Sequence, residues 1–467
     1  MLDARASTVS EPQWLGVSAL AMGAVGIGLL APVAPQLALA GVFAAGFAAL
    51  ALFNLGAALA VFVVLTFFDR TTGLQSMGLT TPVKLGGAVI AAVWLFRLLD
   101  RRTKMRFIFA DHPLVAWSAI ALVAFAAASM LWATESGAAF SSAFRLVQGV
   151  LLLVITYSVV SDRKRLSWVL GAFVAGSLFA AMLGFFGTYS ADASVNDARL
   201  SGGFDDPNEL AAVVVPSMVF CAYGFTALGD RLIRWALVPI AMLLGVVLLR
   251  TDSQAGLVAL GVALLLALVF SGDLRRRAAV VVGTVVVAGT LFYTLVTAPV
   301  AFQTILSPDN TSNRESLWTV AGTMVSDQPL LGVGAGNFSV VEPFYTVRAI
   351  NLPRVDLISE GELVHNSYLR VLAELGLLGL VAFLGIITST LVVGVRAVRA
   401  LKRNGDVEGE RLSRAVVIGT AAMLVAYFFA TNHYEKQLWL MLGTCVALSS
   451  VARSSFVAGR SFRPDQR

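Results

Sequence analysis

Asp327-Gln328-Pro329-Leu330-Leu331-Gly332-Val333-Gly334-Ala335-Gly336-Asn337-Phe338 is the stretch on which the fold class turns. A run of glycines at this spacing suggests a phosphate-binding loop of a soluble nucleotide-binding fold. That reading needs a strand before the glycines and a helix after them. Here the preceding residues, about 314–326, carry a helical pattern, with Trp318, Met324 and Val325 on its apolar side and Gln328-Pro329 to stop it. Ser312 or Asn313 stands where a helix cap is expected. No Gly-Lys-Ser/Thr follows, so the glycines read as a turn that lets a loop dock closely.

Outward from this turn the chain changes character. The turn lies within the one long polar interval, roughly Thr297 to Leu380, of 467 residues that are 58% hydrophobic and 13% charged. Soluble domains carry about 25% charged residues. Apolar runs fall near 14–30, 37–52, 54–68, 83–99, 112–132, 142–161, 166–187, 208–228, 232–249, 255–271, 278–297, 367–395, 415–431 and 437–452. Most approach the 17–25 residues that cross a bilayer as a helix. The expected fold is all-α and polytopic, with about 14 (12–14) spans, the break at Phe53-Asn54 being the weakest. Residues 1–297 form the first spans, 298–366 a large external loop, and 367–467 the last spans and a tail. The acidic residues Asp3 and Glu11 argue against a cleaved leader. Cys221 and Cys445 both sit in apolar runs and read as small core residues.

The charge of +6 would suggest nucleic acid in a soluble protein, but its placement excludes that. Basic clusters occur at Arg97 to Arg106, at Arg163-Lys164-Arg165, at Arg231 with Arg234, at Arg275-Arg276-Arg277, at Arg396 through Arg414, and in the tail. Two spans separate each cluster from the next, so all fall on one face, which the positive-inside rule makes cytoplasmic. Both termini then lie inside. The loops at 133–141, 188–207, 250–254, 298–366 and 432–436 lie outside.

Cations on that outer face need a reason, and an anion at the membrane surface supplies one. Guanidinium binds phosphate oxygens in a bidentate way and stays charged at any working pH. The outer set comprises Arg199, Arg250, Arg314, Lys84, Arg145, Arg348, Arg354, Arg370, His365 and His433, with Asn208 and Gln254 beside them. Arg314 is expected to open its helix, where free amides also favour phosphate. His365, next to Asn366 at a helix mouth, could serve as a general base near neutral pH. Asp205-Asp206 reads as a solvated cap, and no carboxylate set has metal-ligand spacing, so no metal and no other cofactor is expected. Glu374, about two turns into a span, reads as a helix-helix hydrogen-bonding group.

Three elements in order carry a family resemblance. They are Asn313-Arg314-Glu315-Ser316-Leu317-Trp318, the Pro329-Leu330-Leu331-Gly332-Val333-Gly334 turn, and His365-Asn366-Ser367-Tyr368-Leu369 followed by Glu374-Leu375-Gly376. Together they resemble the O-antigen ligase/polymerase superfamily. Gly203 to Asn208 is similar to that family's Gly-x-x-x-x-Pro-Asn stretch. The resemblance implies a GT-C-like, metal-independent, inverting glycosyltransferase of the cytoplasmic membrane. Its partners would be a polyprenyl diphosphate-linked glycan donor, a lipid or glycan acceptor and membrane lipids, with its site outside the cell. It implies His365 as base, with Arg314 and a second arginine holding the diphosphate. Many members have Ser-Arg-Gly where this chain has Ser253-Gln254-Ala255-Gly256, so Arg250 or Arg199 must supply that charge. Asn366 or Glu362 would orient the histidine, with Asn208, Glu374 and Gln254 nearby. A repeat-unit polymerase of the same superfamily is the first alternative. A lipid or glycan transporter is the second, although mid-span residues are almost free of acids and bases.

Overall fold

A computed structural model describes residues 35–68, 82–100, 105–185, 199–204, 206–270, 308–349, 363–431 and 433–461. Among the described residues there is no strand, and the protein is an all-α polytopic membrane protein. Within the described residues eight helices are long and apolar enough to cross a membrane, and three shorter apolar helices accompany them. The helices are α1 (Pro35–Phe53), α2 (Leu55–Leu65), α3 (Pro82–Leu99), α4 (Pro113–Ala128), α5 (Ser136–Val159), α6 (Arg163–Phe185), α7 (Pro207–Ala227), α8 (Arg231–Arg250), α9 (Gln254–Phe270), α10 (Pro308–Asp327), α11 (Phe338–Arg348), α12 (Ser367–Arg403), α13 (Val407–Ala426) and α14 (Lys436–Ser461). The expected spans near 14–30 and 278–297 lie outside the described residues.

Asn54 separates α1 from α2, because its side chain accepts the Ala57 amide at 3.1 Å and so starts a new helix. Helix α7 packs against α8 and α13, α12 against α4 and α14, and α14 against α5. Small residues allow these approaches. The Trp439 ring lies where a side chain at Gly149 would be, about 2.5 Å from that Cβ. Close packing of this kind replaces the hydrophobic driving force that lipid removes. The outer surface keeps large apolar residues exposed, among them Phe96, Trp117, Leu131, Leu232, Met242 and Val381. Such a belt suits contact with lipid rather than water.

One set of basic residues gathers at one end of the bundle. Arg97 donates to the carbonyls of Ala51 and Leu52, Arg163 pairs with Asp406 and Glu408, and Arg453 pairs with Asp111. The head of α7, the α8–α9 turn and the head of α12 lie at the opposite helix ends.

Two expectations need correction. The helix expected over 314–326 begins at Pro308, so Ser312 and Asn313 lie inside it and do not cap it. Proline lacks an amide hydrogen and suits a helix's first turn. Arg314 therefore sits in the second turn, where the backbone amides are already bonded, and gains no help from a helix mouth. The span expected over 415–431 is also earlier, at Val407–Ala426, with the side chain of Asp406 accepting the Gly409 amide.

Candidate functional site

The first wall of the site is the entry to α7. Asp206 caps that helix, and one carboxylate oxygen accepts both the backbone amide and the side-chain amide of Asn208 at 2.8 Å. Asn208 is buried, and its own carbonyl oxygen accepts the Ser253 hydroxyl at 2.6 Å. Ser253 in turn accepts the Gly256 amide at the start of α9. One chain of hydrogen bonds thus ties the head of α7 to the α8–α9 turn. The segment before α7 is fastened to the same turn, with the Leu200 amide donating to the Arg250 carbonyl at 3.1 Å. The Arg199 guanidinium donates to the carbonyls of Thr251 at 3.1 Å and Asp252 at 3.4 Å.

The second wall is the approach to α12. His365 has φ +49°, a left-handed conformation that side chains rarely adopt. Its neighbours hold it there. The Val364 carbonyl accepts the Trp318 indole at 3.0 Å, the Asn366 side chain caps α12 through the amides of Tyr368 and Leu369, and Ser367 bonds to Tyr427 and Ala430. Strained backbone held by its surroundings is common where a side chain must be aimed. Here it aims His365 at α7, where Nδ1 lies 3.4 Å from the second oxygen of Asp206.

Arg314 on α10 and Arg199 complete the cluster. Burial pushes the Arg314 pKa below its ordinary value, the Asp206 carboxylate opposes that, and the Arg199 charge adds to it. Arginine stays protonated even so. For Asp206, burial pushes the pKa up, but the His365 bond, the Asn208 amide and the charges of His365 and Arg199 outweigh it, so the carboxyl lies below its usual range. Arg314 thus feels the charges of Asp206 and Arg199, and Asp206 feels that of Arg199. The arrangement is a carboxylate-bound imidazole, with the Arg199 guanidinium within electrostatic reach of the carboxylate and the carboxylate within reach of Arg314, at the mouth of a helical bundle.

The segment between α10 and α12 is held to the membrane helices beneath this cluster. Helix α12 is broken at Gly376 (φ +59°, ψ −165°), and the break frees backbone groups. The turn after α10 fills it. The Val333 and Gly334 amides donate to the carbonyls of Ala373 and Glu374, and the Leu377 amide donates to the Pro329 carbonyl. A Cβ at Gly332 would stand 2.5 Å from the Glu374 carbonyl, so only glycine permits this approach. The buried Glu374 side chain bonds Arg370 at 2.7 Å, the Gly336 amide at 2.8 Å and the Tyr434 hydroxyl at 3.0 Å. Asn337 extends the anchorage to the backbone of Glu135.

The sequence-derived candidates divide accordingly. His365, Arg314, Arg199 and Asn208 converge. Asn366 caps α12, and His365 meets Asp206 instead. Glu374 ties the glycine turn down, two turns below His365 along α12. Arg250 and Gln254 are both exposed, at the end of α8 and the start of α9. Glu362, Asp205 and Arg354 lie outside the described residues. Three cations expected at the outer anion site have other surroundings. Arg370 is buried with Glu374, and Arg348 pairs with Asp327 at 2.9 Å. His433 is buried, and burial, together with Arg370 and Arg145, pushes its pKa well below the usual histidine value. Asp206 is the residue that the sequence reading missed. A cap was legible there, but its second oxygen was committed to His365, about 160 residues downstream, and no local pattern announces that. Among the described residues no three His, Cys, Asp or Glu side chains converge as they would around a metal ion.

Residues 239–384 match the O-antigen ligase family. The match runs from within α8 to the middle of α12 and includes Arg314, the glycine turn, His365 and Glu374. Arg199 and Asp206 lie before it. No curated protein matches the chain.

Proposed function

Taking as premise that the chain belongs to the O-antigen ligase/polymerase superfamily, as the match over residues 239–384 supports, we propose that it is an inverting membrane glycosyltransferase. It moves a glycan from undecaprenyl diphosphate to an acceptor hydroxyl on the outer side of the cytoplasmic membrane. The observation that carries this reading is the placement of His365 Nδ1 on Asp206 beside Arg314 and Arg199. With Nδ1–H donated to the carboxylate, Nε2 keeps its lone pair and can act as base.

In the reaction, Arg314 and Arg199 hold the diphosphate and take up the charge that develops as the bond from the anomeric carbon to its oxygen breaks. The acceptor hydroxyl attacks that carbon from the opposite side. His365 takes the hydroxyl proton, and Asp206 steadies the imidazolium so formed. The diphosphate leaves as an anion neutralised by guanidinium, so chelators are expected to leave transfer intact. The concentration of basic residues at the far end of the bundle supports an outward-facing site.

The test is transfer by purified protein in nanodiscs, supplied with polyprenyl diphosphate-linked glycan. His365→Ala and Arg314→Ala are each expected to abolish product while the protein stays folded. Full activity in either variant would reject the site. A polymerase of the same superfamily would use the same groups with a growing glycan as acceptor. Cells lacking the protein separate the two: long chains left on the carrier indicate a ligase, single repeat units a polymerase.

A further inference from the structure

The first half of α5 carries a polar stripe on a helix long and apolar enough to cross the membrane. Ser141, Arg145 and Gln148 are all exposed, and their spacing of four and three residues puts them on one face. The exposed residues beside them, Phe140, Phe144 and Val147, are apolar. No hydrogen bond or ion pair among the described residues holds Arg145. Glu374, the buried carboxylate of this region, is taken by Arg370 at 2.7 Å. The charges of Arg370 and Arg145 both act on the buried ring of His433, which offers no negative charge in return. An unpaired cation on a membrane helix is costly and marks a site.

Packing fixes the height of this cation. Trp439 of α14 fills the space beside Gly149 of α5. Toward the end of the bundle that carries His365, Arg145 lies four residues from Gly149 and Lys436 three residues from Trp439, about 6 Å and about 4.5 Å of helical rise. Arg145 is therefore level with the head of α14, where the Gln437 side chain donates to the Thr66 carbonyl at the end of α2 at 3.1 Å. Lys84 stands in the first turn of α3, which touches α5, and it too is exposed and without a partner among the described residues. Lys84 is fifteen residues from the far end of α3 and Arg145 fourteen from the far end of α5, about 21–23 Å in each case. The Arg163-Lys164-Arg165 cluster follows α5 within a few residues, so the two sets of charge are separated by nearly the thickness of the hydrocarbon layer, about 30 Å. Arg145 and Lys84 thus stand on neighbouring helices at the height of lipid phosphates.

We propose that Arg145 and Lys84, with Ser141 and Gln148, hold the headgroup of an anionic phospholipid in the leaflet on this side of the membrane. The guanidinium fork takes two phosphate oxygens, and the lysine adds a point charge. Ser141 and Gln148 bring further hydrogen-bonding groups on the same face of α5. Phe140, Phe144 and Val147 offer apolar contact to acyl chains, which a free phosphate lacks. The bound anion neutralises a charge that no carboxylate of the described residues pairs with. This lipid is separate from the glycan donor. Helix α5 packs mainly on α14, α4, α2 and α3, and none of these carries Arg314 or Arg199. The proposal therefore stands whether or not the candidate site transfers glycan.

The experiment titrates phosphatidylglycerol, and phosphatidylcholine as control, into the delipidated full chain in detergent micelles, with bound lipid counted by native mass spectrometry. Wild type is expected to retain phosphatidylglycerol in preference to phosphatidylcholine. Arg145→Ala should weaken phosphatidylglycerol about tenfold or more and leave phosphatidylcholine unchanged, as loss of a charged hydrogen bond implies. Arg145→Lys keeps the charge without the fork and should fall between the two. Lys84→Ala should weaken phosphatidylglycerol by about threefold. Arg145 is exposed, so these variants should fold, and unfolding midpoints in phosphatidylcholine check that they do. Equal retention of both lipids by wild type, or an undiminished preference in Arg145→Ala, would overturn the proposal. Displacement of phosphatidylglycerol by equimolar polyprenyl diphosphate, or by a glycolipid with a phosphorylated sugar head, would also overturn it and give the site to a substrate.

Discussion

Replacing Glu374 by alanine is expected to release the segment between α10 and α12 from the membrane helices. The carboxylate is 1% exposed and the Arg370 guanidinium 12%, so solvent screens neither. Deleting the carboxylate strands a buried cation, which costs about 3–5 kcal/mol. The Gly336 amide and the Tyr434 hydroxyl lose their acceptor too, each worth about 1–3 kcal/mol when left buried and unpaired. These losses share one group and do not add in full. The expected destabilisation is therefore about 3–5 kcal/mol at least, read as a shift in the midpoint of SDS-induced unfolding in mixed micelles. Limited proteolysis should find the segment between α10 and α12 cut sooner. The double variant Glu374→Met with Arg370→Met removes the stranded charge and should recover most of the stability. It cannot restore the bond to Gly336, so the segment should remain sensitive to protease. A Glu374→Ala protein that unfolds within about 1 kcal/mol of wild type, with unchanged proteolysis, would refute the anchoring role.

The site supports three further expectations. Asp206→Asn keeps a good helix cap but removes the charge beside His365, so transfer should fall by about 10–100-fold; unchanged transfer would remove Asp206 from the mechanism. Arg199→Ala should raise KM for the donor by about tenfold or more, as loss of a charged hydrogen bond implies, while Arg250→Ala changes it less than about twofold; the reverse order would assign the second cation to Arg250. The folded Asp206 carboxyl has a depressed pKa, so its stabilising effect is present above the unfolded value and fades as pH falls through the folded one. The stability difference between wild type and Asp206→Asn should hold at neutral pH and close below about pH 4; a constant difference down to pH 3 would contradict the ion pair.

How much of this was legible in the sequence follows from the range of the interactions. Apolar runs and basic clusters report the bilayer directly, because each span must satisfy its own backbone and stay apolar along its length. Boundaries shifted where polar residues belong to a helix, as with Glu408 and Glu410 in the first turn of α13. The start of α10 shifted for a similar reason: Ser312 and Asn313 have the chemistry of caps, yet Pro308 begins the helix six residues earlier than Arg314. His365 and Arg314 could be found because each sits in a local motif. What joins them could not. Asp206 does two things with two oxygens, and only the cap has a short-range pattern.

The same limit explains the choice between Arg250 and Arg199. On a helix extended from α9, Arg250 lies four residues before Gln254 and would share its face. That projection fails because α8 continues through Arg250 and a turn intervenes, with Asp252 at φ +49°. The turn reverses the chain and leaves Arg250 exposed, while its carbonyls at Thr251 and Asp252 hold Arg199 from the neighbouring segment. A charge that a motif places at one position is thus within reach of a different segment, provided the backbone beneath it can bind the guanidinium. Loosening the turn is a separate test from removing the charge. Asp252→Gly would relax the left-handed residue while keeping both carbonyls that hold Arg199. If the turn serves only to reverse the chain, donor KM should stay within about twofold; if it aims Arg199, KM should rise toward the Arg199→Ala value.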